Sequence, residues 1–389
     1  MSNQKTLFSC GASRGGTTFI TRVLSINEDL SVASDPFLPI FKLFRAKVAE
    51  VKKYDAFNVS APMHDYFIDP EKRRFLDELM NVDLGLDTKS VNIDELKNVL
   101  IQRMDLAAKE LIPHVNFLTG STFTEIFQSA FEILEKAYGL SVGQSCGFND
   151  NWVSEFMFPF ANSFEEMKFL AIYRDPRASF ASISKLREKS PELCPYILSY
   201  LRSWRKHIAM MVKTSHVNNI SSRIYRLCYE DFVKSPIDQT KDLCQFLEIK
   251  FDEKMLDTEN FRPISGKEWK TYSHHKNVPQ SGIYTDSIDK WKTILSEDII
   301  KLIEFVCYPE LIYLGYEVSQ PPVLTDSIIT ACYKESEIAK GWRFDHGSAS
   351  SELEKENKRN KMFLEGESLN AQDYFIFEDV FQDYLKSLT

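Results

Sequence analysis

The chain has 389 residues, of which 43% are hydrophobic and 13% aromatic, so it can bury a large core and general disorder is excluded. Its 47 basic residues face 56 acidic ones, and the net charge of −9 argues against a nucleic-acid partner. Seven cysteines form no C-x-x-C pair or zinc-type cluster, which predicts reduced thiols and no metal site. No apolar run reaches the length of a membrane span and the opening MSNQK is polar, so we expect a cytoplasmic protein without a membrane span.

The first motif is a glycine-rich turn between an apolar run and a helical pattern, TLFSCGASRGGTTFITRVL at 6–24. Backbone amides in such a turn, together with the first turn of the following helix, bind anions. The spacing nearly fits the phosphate loop G-x-x-x-x-G-K-[ST], but Thr17 stands at the lysine position, which argues against an ordinary kinase or NTPase. A purely structural turn is the alternative. The predicted anion-binding residues are Arg14, Gly15, Gly16, Thr17 and Thr18.

A second strand is predicted from Leu30 to Ala33, and Asp35 follows it at the position where open α/β sheets bind ligands. Residues 50–145 are mixed and charged, and we interpret them as an insertion that covers the mouth of the active site. Helical patterns within the insertion lie near 71–82, 92–111 and 123–138.

A second arginine motif follows a buried strand of the parallel type at Phe169 to Tyr173. In the turn RDPR, Asp175 suits the helix cap and Pro176 an early helical position. Arg174 at the strand end and Ser182 two turns into the helix predict a second phosphate site. Arg177 could belong to this phosphate site, or it could only pair with an acidic side chain on a helix face.

The later chain contains one more apolar strand, at 221–231, followed by a helix from about 236 to 247. The block SIDKWKTILSEDIIKLIEFVCYPELIYLGYEV has the periodicity of an amphipathic helix. We expect the charged segment 351–362 to be solvated and the final apolar piece to dock as a helix. We therefore divide the chain into a domain at 1–320 and a helical C-terminal extension at 321–389.

Two motifs in this order, CGASRGGTTF and YRDPRASFAS, resemble those of the sulfotransferases that use 3′-phosphoadenosine 5′-phosphosulfate (PAPS). The resemblance covers residues 5 to 319, includes the block ending in LGYEV, and is closest to the bacterial and tyrosylprotein-type enzymes. It implies an α/β fold with a P-loop-like central parallel sheet flanked by helices. It also implies transfer of a sulfuryl group from PAPS, with 3′,5′-ADP as the product and no metal.

The same resemblance assigns roles to individual residues. The glycine-rich turn would hold the 5′-phosphosulfate, with Arg14 stabilising the leaving phosphate oxygen. Arg174 and Ser182 would bind the 3′-phosphate. Tyr229 matches a position that contacts adenine in the family, although a half-buried strand-end tyrosine is nearly as plausible.

The general base is expected at Asp35, which matches the position of a glutamate in tyrosylprotein-type relatives. The alternative is that Asp35 only caps the helix beginning near Pro36, and His64 is the reserve candidate. Relatives carry a lysine near Asn149, so either Arg14 suffices or another cation such as Lys276 contributes. The acceptor is expected to be a small molecule with a hydroxyl or amine. The rival functions are a P-loop nucleotide kinase or NTPase, a non-catalytic protein that binds PAPS or 3′,5′-ADP, and a scaffold.

Overall fold

The fold is built on one five-stranded parallel sheet in the order β2-β3-β1-β4-β5. The strands are β1 (Thr6–Gly11), β2 (Leu30–Ser34), β3 (Ser145–Asn149), β4 (Lys168–Tyr173) and β5 (Ile224–Cys228). The structure is a computed structural model that describes residues 5–54, 62–65, 69–141, 143–261, 283, 285–343, 347–367 and 369–388. The α/β fold with a central parallel sheet is confirmed.

The strand order creates a crevice at the carboxyl edge of the sheet. From β1 the chain moves to β2 on one side of the sheet, whereas from β4 it moves to β5 on the other side. Because β1 and β4 are neighbours, their following loops separate and leave an opening between them, where open α/β sheets bind ligands. The loops after Gly11 and Tyr173 flank this opening.

Six α-helices are found among the described residues of the first part of the chain, and the predicted helices of the insertion are confirmed with one difference. The segment near 92–111 ends as an α-helix at Ala107 and continues as a 3₁₀ helix, Lys109–Phe117, which contains Pro113. Proline lacks the N–H that an α-helix needs, so the regular helix stops before it. The helices are α1 (Thr17–Leu24), α2 (Leu38–Lys52), α3 (Pro70–Asn81), α4 (Ile93–Ala107), α5 (Phe123–Tyr138) and α6 (Met157–Ser163).

The second part of the chain adds helices on both faces of the sheet and beyond it. The amphipathic block is divided into four short helices, of which the third is capped by Ser296 and the fourth has Pro309 in its first turn. The helices are α7 (Pro176–Arg187), α8 (Ile197–Lys213), α9 (Asn218–Ser221), α10 (Tyr229–Lys234), α11 (Pro236–Leu247), α12 (Asp286–Asp289), α13 (Trp291–Ile294), α14 (Glu297–Val306), α15 (Tyr308–Tyr313), α16 (Asp326–Ile338), α17 (Ala349–Glu365) and α18 (Glu378–Lys386). None of the described helices is long and apolar enough to cross a membrane.

Hydrophobic side chains cover both faces of the sheet. On one face Phe8 packs against Phe148, with their ring centroids 5.0 Å apart, in a large cluster that extends to α18. On the other face Leu7 and Leu170 pack against Ile20 of α1. Strands β1 and β4 are therefore buried on both sides, as their nearly continuous apolar sequences predict, whereas Arg226 of the edge strand β5 is exposed.

The prediction that 351–362 is solvated is wrong. Helix α17 buries Glu352, Glu356 and Arg359, and these charges pair with partners on neighbouring helices. The acidic pair binds Arg202 and Arg205 of α8, which are themselves fully buried. The final apolar segment docks as α18, as predicted, with Val380, Phe381 and Tyr384 buried.

Candidate active site

The glycine-rich turn joins β1 to the amino end of α1 at the crevice. Gly16 is the N-cap of α1 and has a left-handed backbone (φ 92°, ψ 2°). No described side chain caps α1, and its first turn contains no acidic residue. The positive end of the helix dipole and the first-turn amides therefore face this edge without a carboxylate to neutralise them. This geometry is that of an anion site.

Tyr229 packs directly onto the glycine-rich turn. A Cβ on Gly16 would lie 2.2 Å from Tyr229 Cδ2, so no larger residue fits without moving the ring. The tyrosine follows β5 as the first residue of α10, and its ring also contacts Phe19 of α1. Tyr229 therefore forms one wall of the crevice beside the turn.

Arg174, directly after β4, stacks on the Tyr229 ring and contacts the turn. Its guanidinium carbon lies 4.3 Å from the centroid of the Tyr229 ring, and its Nη1 donates to the Arg14 carbonyl oxygen at 3.4 Å. Glu230 approaches the guanidinium, with 3.9 Å between Arg174 Nε and Glu230 Oε1. Burial raises the pKa of Glu230, while Arg174 opposes that rise.

Arg14 and Ser182 touch each other. Arg14 has a positive φ of 65° in the turn, its side chain is exposed, and its Nε donates to Ser182 Oγ at 2.9 Å. The two phosphate sites predicted from separate motifs therefore meet in one crevice, with the turn on one side and α7 on the other. An extended ligand with two anionic groups would fit this arrangement of cations.

The RDPR turn has the predicted local structure. Asp175 caps α7 by accepting from Arg177 N at 2.8 Å, and Pro176 begins the helix. Arg177 is buried, and its guanidinium pairs with Asp175 and with Glu304 of α14 at 2.6 Å. Arg177 therefore pairs with acidic side chains, which is the second of the two interpretations given for it above.

Asp35 lies immediately after β2 with a left-handed backbone (φ 50°). Its carboxylate accepts from the Asn151 side-chain amide at 3.0 and 3.3 Å and from Asn151 N at 3.2 Å. Arg103 of α4 donates to the Asp35 carbonyl oxygen at 2.8 Å and places a second guanidinium nitrogen 3.6 Å from the carboxylate. Burial raises the pKa of Asp35, and Arg103 and Asn151 oppose the rise. A carboxylate with a raised pKa is suited to accept a proton.

The helix-cap alternative for Asp35 is wrong. Helix α2 begins at Leu38, and no side chain within its own amino end caps it. Instead, Asp150 Oδ2 accepts from Phe37 N at 3.0 Å. Asp150 is fully buried, and burial together with the nearby Asp35 charge raises the pKa of Asp150 well above its usual range.

The two threonines of the turn differ in exposure. Thr17 is 3% exposed, and its hydroxyl donates to Asn151 Oδ1 at 3.0 Å. Thr18 is partly exposed. Thr17 therefore offers an incoming anion its backbone amide rather than its hydroxyl, while Thr18 keeps a solvent-accessible position at the helix start.

Comparison with known proteins gives a match to the part of the chain that contains the second arginine motif. Residues 157–253 match the sequence profile of the sulfotransferase family. The chain is related to the sulfotransferases over this segment. The segment includes Arg174, Ser182 and Tyr229, whereas the glycine-rich turn and Asp35 lie outside it. The resemblance predicted from the arginine motif is confirmed.

Solved sulfotransferase structures align with most of the chain at low identity. The sulfotransferase domain of the Synechococcus PCC 7002 olefin synthase is 15% identical, with 82% of this chain and 97% of that chain covered and a TM-score of 0.44. A sulfotransferase from Mycobacterium avium is 14% identical, covering 82% and 79% of the two chains with a TM-score of 0.39. No curated protein matches the sequence of this chain.

Two further residues that the sequence analysis considered are held by protein partners. His64 pairs with Asp65 at 3.6 Å, and Asp65 in turn pairs with Arg205 in the ionic network with α17. Asn149 is completely buried at the end of β3, its carbonyl oxygen accepts from Asp35 N, and its side-chain Oδ1 accepts from Ser9 Oγ at 3.2 Å. Lys276 lies outside the described residues. Within the described part of the chain, no group of acidic, histidine or cysteine residues could hold a metal ion.

Four contributing residues were not predicted from the sequence: Arg103, Asn151, Tyr200 and Trp204. The last two lie on α8 and hold the main chain of both arginine turns. Tyr200 donates to the Ser13 carbonyl oxygen at 3.0 Å, and Trp204 Nε1 donates to the Arg174 carbonyl oxygen at 3.0 Å. The only signal in the sequence is the aromatic spacing i, i+4 within a helical pattern.

Proposed function

We propose that this protein is a PAPS-dependent sulfotransferase. The observation that carries the proposal is the meeting of Arg14, Ser182 and Arg174 at the uncapped amino end of α1. Two anionic groups on one ligand need two sources of positive charge a short distance apart, and this crevice supplies them. The partial sulfotransferase-family match agrees with this assignment.

The residues present suit PAPS at this crevice. The first-turn amides of α1, with Gly15, Gly16 and Thr18, would hold the 5′-phosphosulfate, and Arg174 with Ser182 would bind the 3′-phosphate. Tyr229, whose ring lies between the turn and Arg174, would contact the adenine, as the family resemblance implies. When bound, PAPS supplies the sulfuryl group that passes to the acceptor while 3′,5′-ADP leaves.

The protein groups would then act on charge and protons. Arg14 is exposed beside the turn and would stabilise negative charge on the leaving phosphate oxygen. Asp35 would take the proton of the acceptor hydroxyl or amine, since burial raises its proton affinity while Asn151 and Arg103 hold it in place. No metal is required for either role.

We propose further that the acceptor is a small molecule and that the protein acts in the cytoplasm. All seven cysteines are free, as expected in a reducing compartment. Residues 1–320 would form the transferase domain, with the helices between 50 and 145 as its insertion, and residues 321–389 a helical extension. Arg103 of the insertion already reaches Asp35, which supports a role of the insertion in acceptor binding.

The test is incubation with PAPS and a panel of phenols, aliphatic alcohols and amines, with mass-spectrometric detection of sulfated product and 3′,5′-ADP. We expect sulfation of at least one acceptor by the wild-type protein and loss of it in Asp35→Asn. Magnesium-dependent ATP turnover without sulfuryl transfer would instead support the kinase alternative. Binding of 3′,5′-ADP with no transfer to any acceptor would support the non-catalytic alternative.

A further inference from the structure

A hydrogen-bonded chain joins the glycine-rich turn to Asp35. The Thr17 hydroxyl bonds to Asn151 Oδ1 at 3.0 Å, and Asn151 Nδ2 bonds to Asp35 Oδ1 at 3.0 Å. The Asn151 backbone N–H is a second donor to the same carboxylate, at 3.2 Å. Asn151 therefore lies between the residue proposed to hold the donor and the residue proposed to take the proton.

The chemistry of the groups fixes the direction of this chain. An ionised carboxylate only accepts hydrogen bonds, so Asn151 must present its NH₂ group to Asp35. Its carbonyl oxygen is then left facing Thr17, whose hydroxyl must donate. The Thr17 side chain is 3% exposed, so solvent does not compete for this bond. The Asp35 carboxylate thus sets the orientation of the Asn151 amide, and the amide sets that of the Thr17 hydroxyl.

Other charged groups around Asp35 come from different elements. Arg103 of α4 approaches the carboxylate to 3.6 Å, and the Asp35 charge helps to raise the pKa of Asp150, which follows β3. Arg103 also bonds to the Asp35 carbonyl oxygen, which restrains the main chain in its left-handed conformation. Arg103 supplies positive charge nearby, whereas the Asn151 side-chain amide donates to both oxygens of the carboxylate.

We propose that Asn151 is a positioning residue that fixes the Asp35 carboxylate for proton transfer, and that Thr17 orients Asn151. The proposal rests on the proposed function for the role of Asp35 as base. It assigns the buried Thr17 hydroxyl to the base rather than to the donor phosphates. Ligand binding at the glycine-rich turn and the orientation of the Asp35 carboxylate are therefore linked through the Asn151 side chain.

The test is a ¹³C NMR titration of protein labelled at the aspartate carboxyl carbons, with Asp35→Asn and Asp150→Asn used to assign the two signals. Asn151→Ala removes donors that favour the ionised form, so the pKa of Asp35 should rise by about one pH unit. Thr17→Val keeps the size of the side chain but removes its hydroxyl, and should give a smaller rise. Thr17→Ser keeps the hydroxyl and should restore the wild-type value.

The matched control is Ser9→Ala, which removes a buried hydroxyl bonded to Asn149 and should leave the pKa of Asp35 unchanged. If Asn151→Ala does not fold, Thr17→Val still provides the comparison. An unchanged Asp35 titration in both variants would overturn the proposal.

Calorimetry with 3′,5′-ADP separates this proposal from the proposed function. We expect Asn151→Ala to bind it within about threefold of the wild type, since the cations of the crevice are intact. A loss of affinity as large as that in Arg174→Ala, with no change in the Asp35 titration, would show that Asn151 serves the ligand instead. If the wild-type protein does not bind 3′,5′-ADP, the proposed function fails while the NMR result still decides how Asp35 is held.

Discussion

Replacement of Glu356 by glutamine should destabilise the protein strongly. Glu356 accepts from Arg202 Nε at 2.8 Å and from Arg205 Nη1 at 2.6 Å, and all three side chains are at most 1% exposed. Glutamine has nearly the same volume, so the change removes charge without opening a cavity. Breaking a buried ionic group by neutralising one partner costs about 3–5 kcal/mol, and we expect a loss of that size in the free energy of unfolding.

Urea denaturation is the appropriate assay, because guanidinium would screen the charges under study. The matched control is Glu354→Gln on the same helix, where the side chain is exposed and the expected change is within about 0.5 kcal/mol. Equal, small effects of the two substitutions would mean that α17 is solvated. That result would refute the reasoning about the ionic network with α8.

Three further predictions concern the crevice and its neighbours. Arg174→Ala should weaken 3′,5′-ADP binding about 10- to 150-fold in calorimetry, from the loss of charge-assisted bonds, and unchanged affinity would remove Arg174 from the ligand site. Gly16→Ala should destabilise the protein by about 2–4 kcal/mol through its positive φ and its clash with Tyr229, and Tyr229→Ala should recover part of that loss if the clash is real. Asp150 has a raised pKa, so the folded state keeps a proton that the unfolded chain releases above about pH 4. Its contribution to stability is therefore complete at acidic pH and declines as the pH rises through the folded pKa. In Asp150→Asn this decline in the free energy of unfolding should disappear, and an unaltered pH profile would contradict the buried, protonated carboxyl.

Local signals explain what could be predicted of the site. The glycines of the first turn and the Asp175-Pro176 helix start are encoded by neighbouring residues, so the sequence is sufficient to predict both turns. Asn151 and Arg103 are different, because they reach Asp35 only through the pairing of β2 with β3 and the placement of α4. No spacing within the sequence indicates those contacts.

The same distinction holds for the fold. The apolar strands β1 and β4 are evident, whereas β3 reads SCGFN and gives little strand signal. Its Gly147 is needed because a Cβ there would lie 2.6 Å from the Leu7 carbonyl oxygen. In α17 the charge pattern fits a solvated helix equally well, since the partners of Glu352 and Glu356 lie about 150 residues earlier in the chain.

The central claim is that the crevice between β1 and β4 binds an adenosine carrying separate 3′ and 5′ anionic groups. Thermal unfolding of the wild-type protein with 3′,5′-ADP, ATP or GTP tests it most directly, because a ligand at 100 times its Kd stabilises the folded state by about 2.7 kcal/mol. We predict a clear rise in Tm with 3′,5′-ADP and a much smaller rise with ATP or GTP at the same concentration. Equal stabilisation by ATP, or no stabilisation by 3′,5′-ADP, would contradict the account.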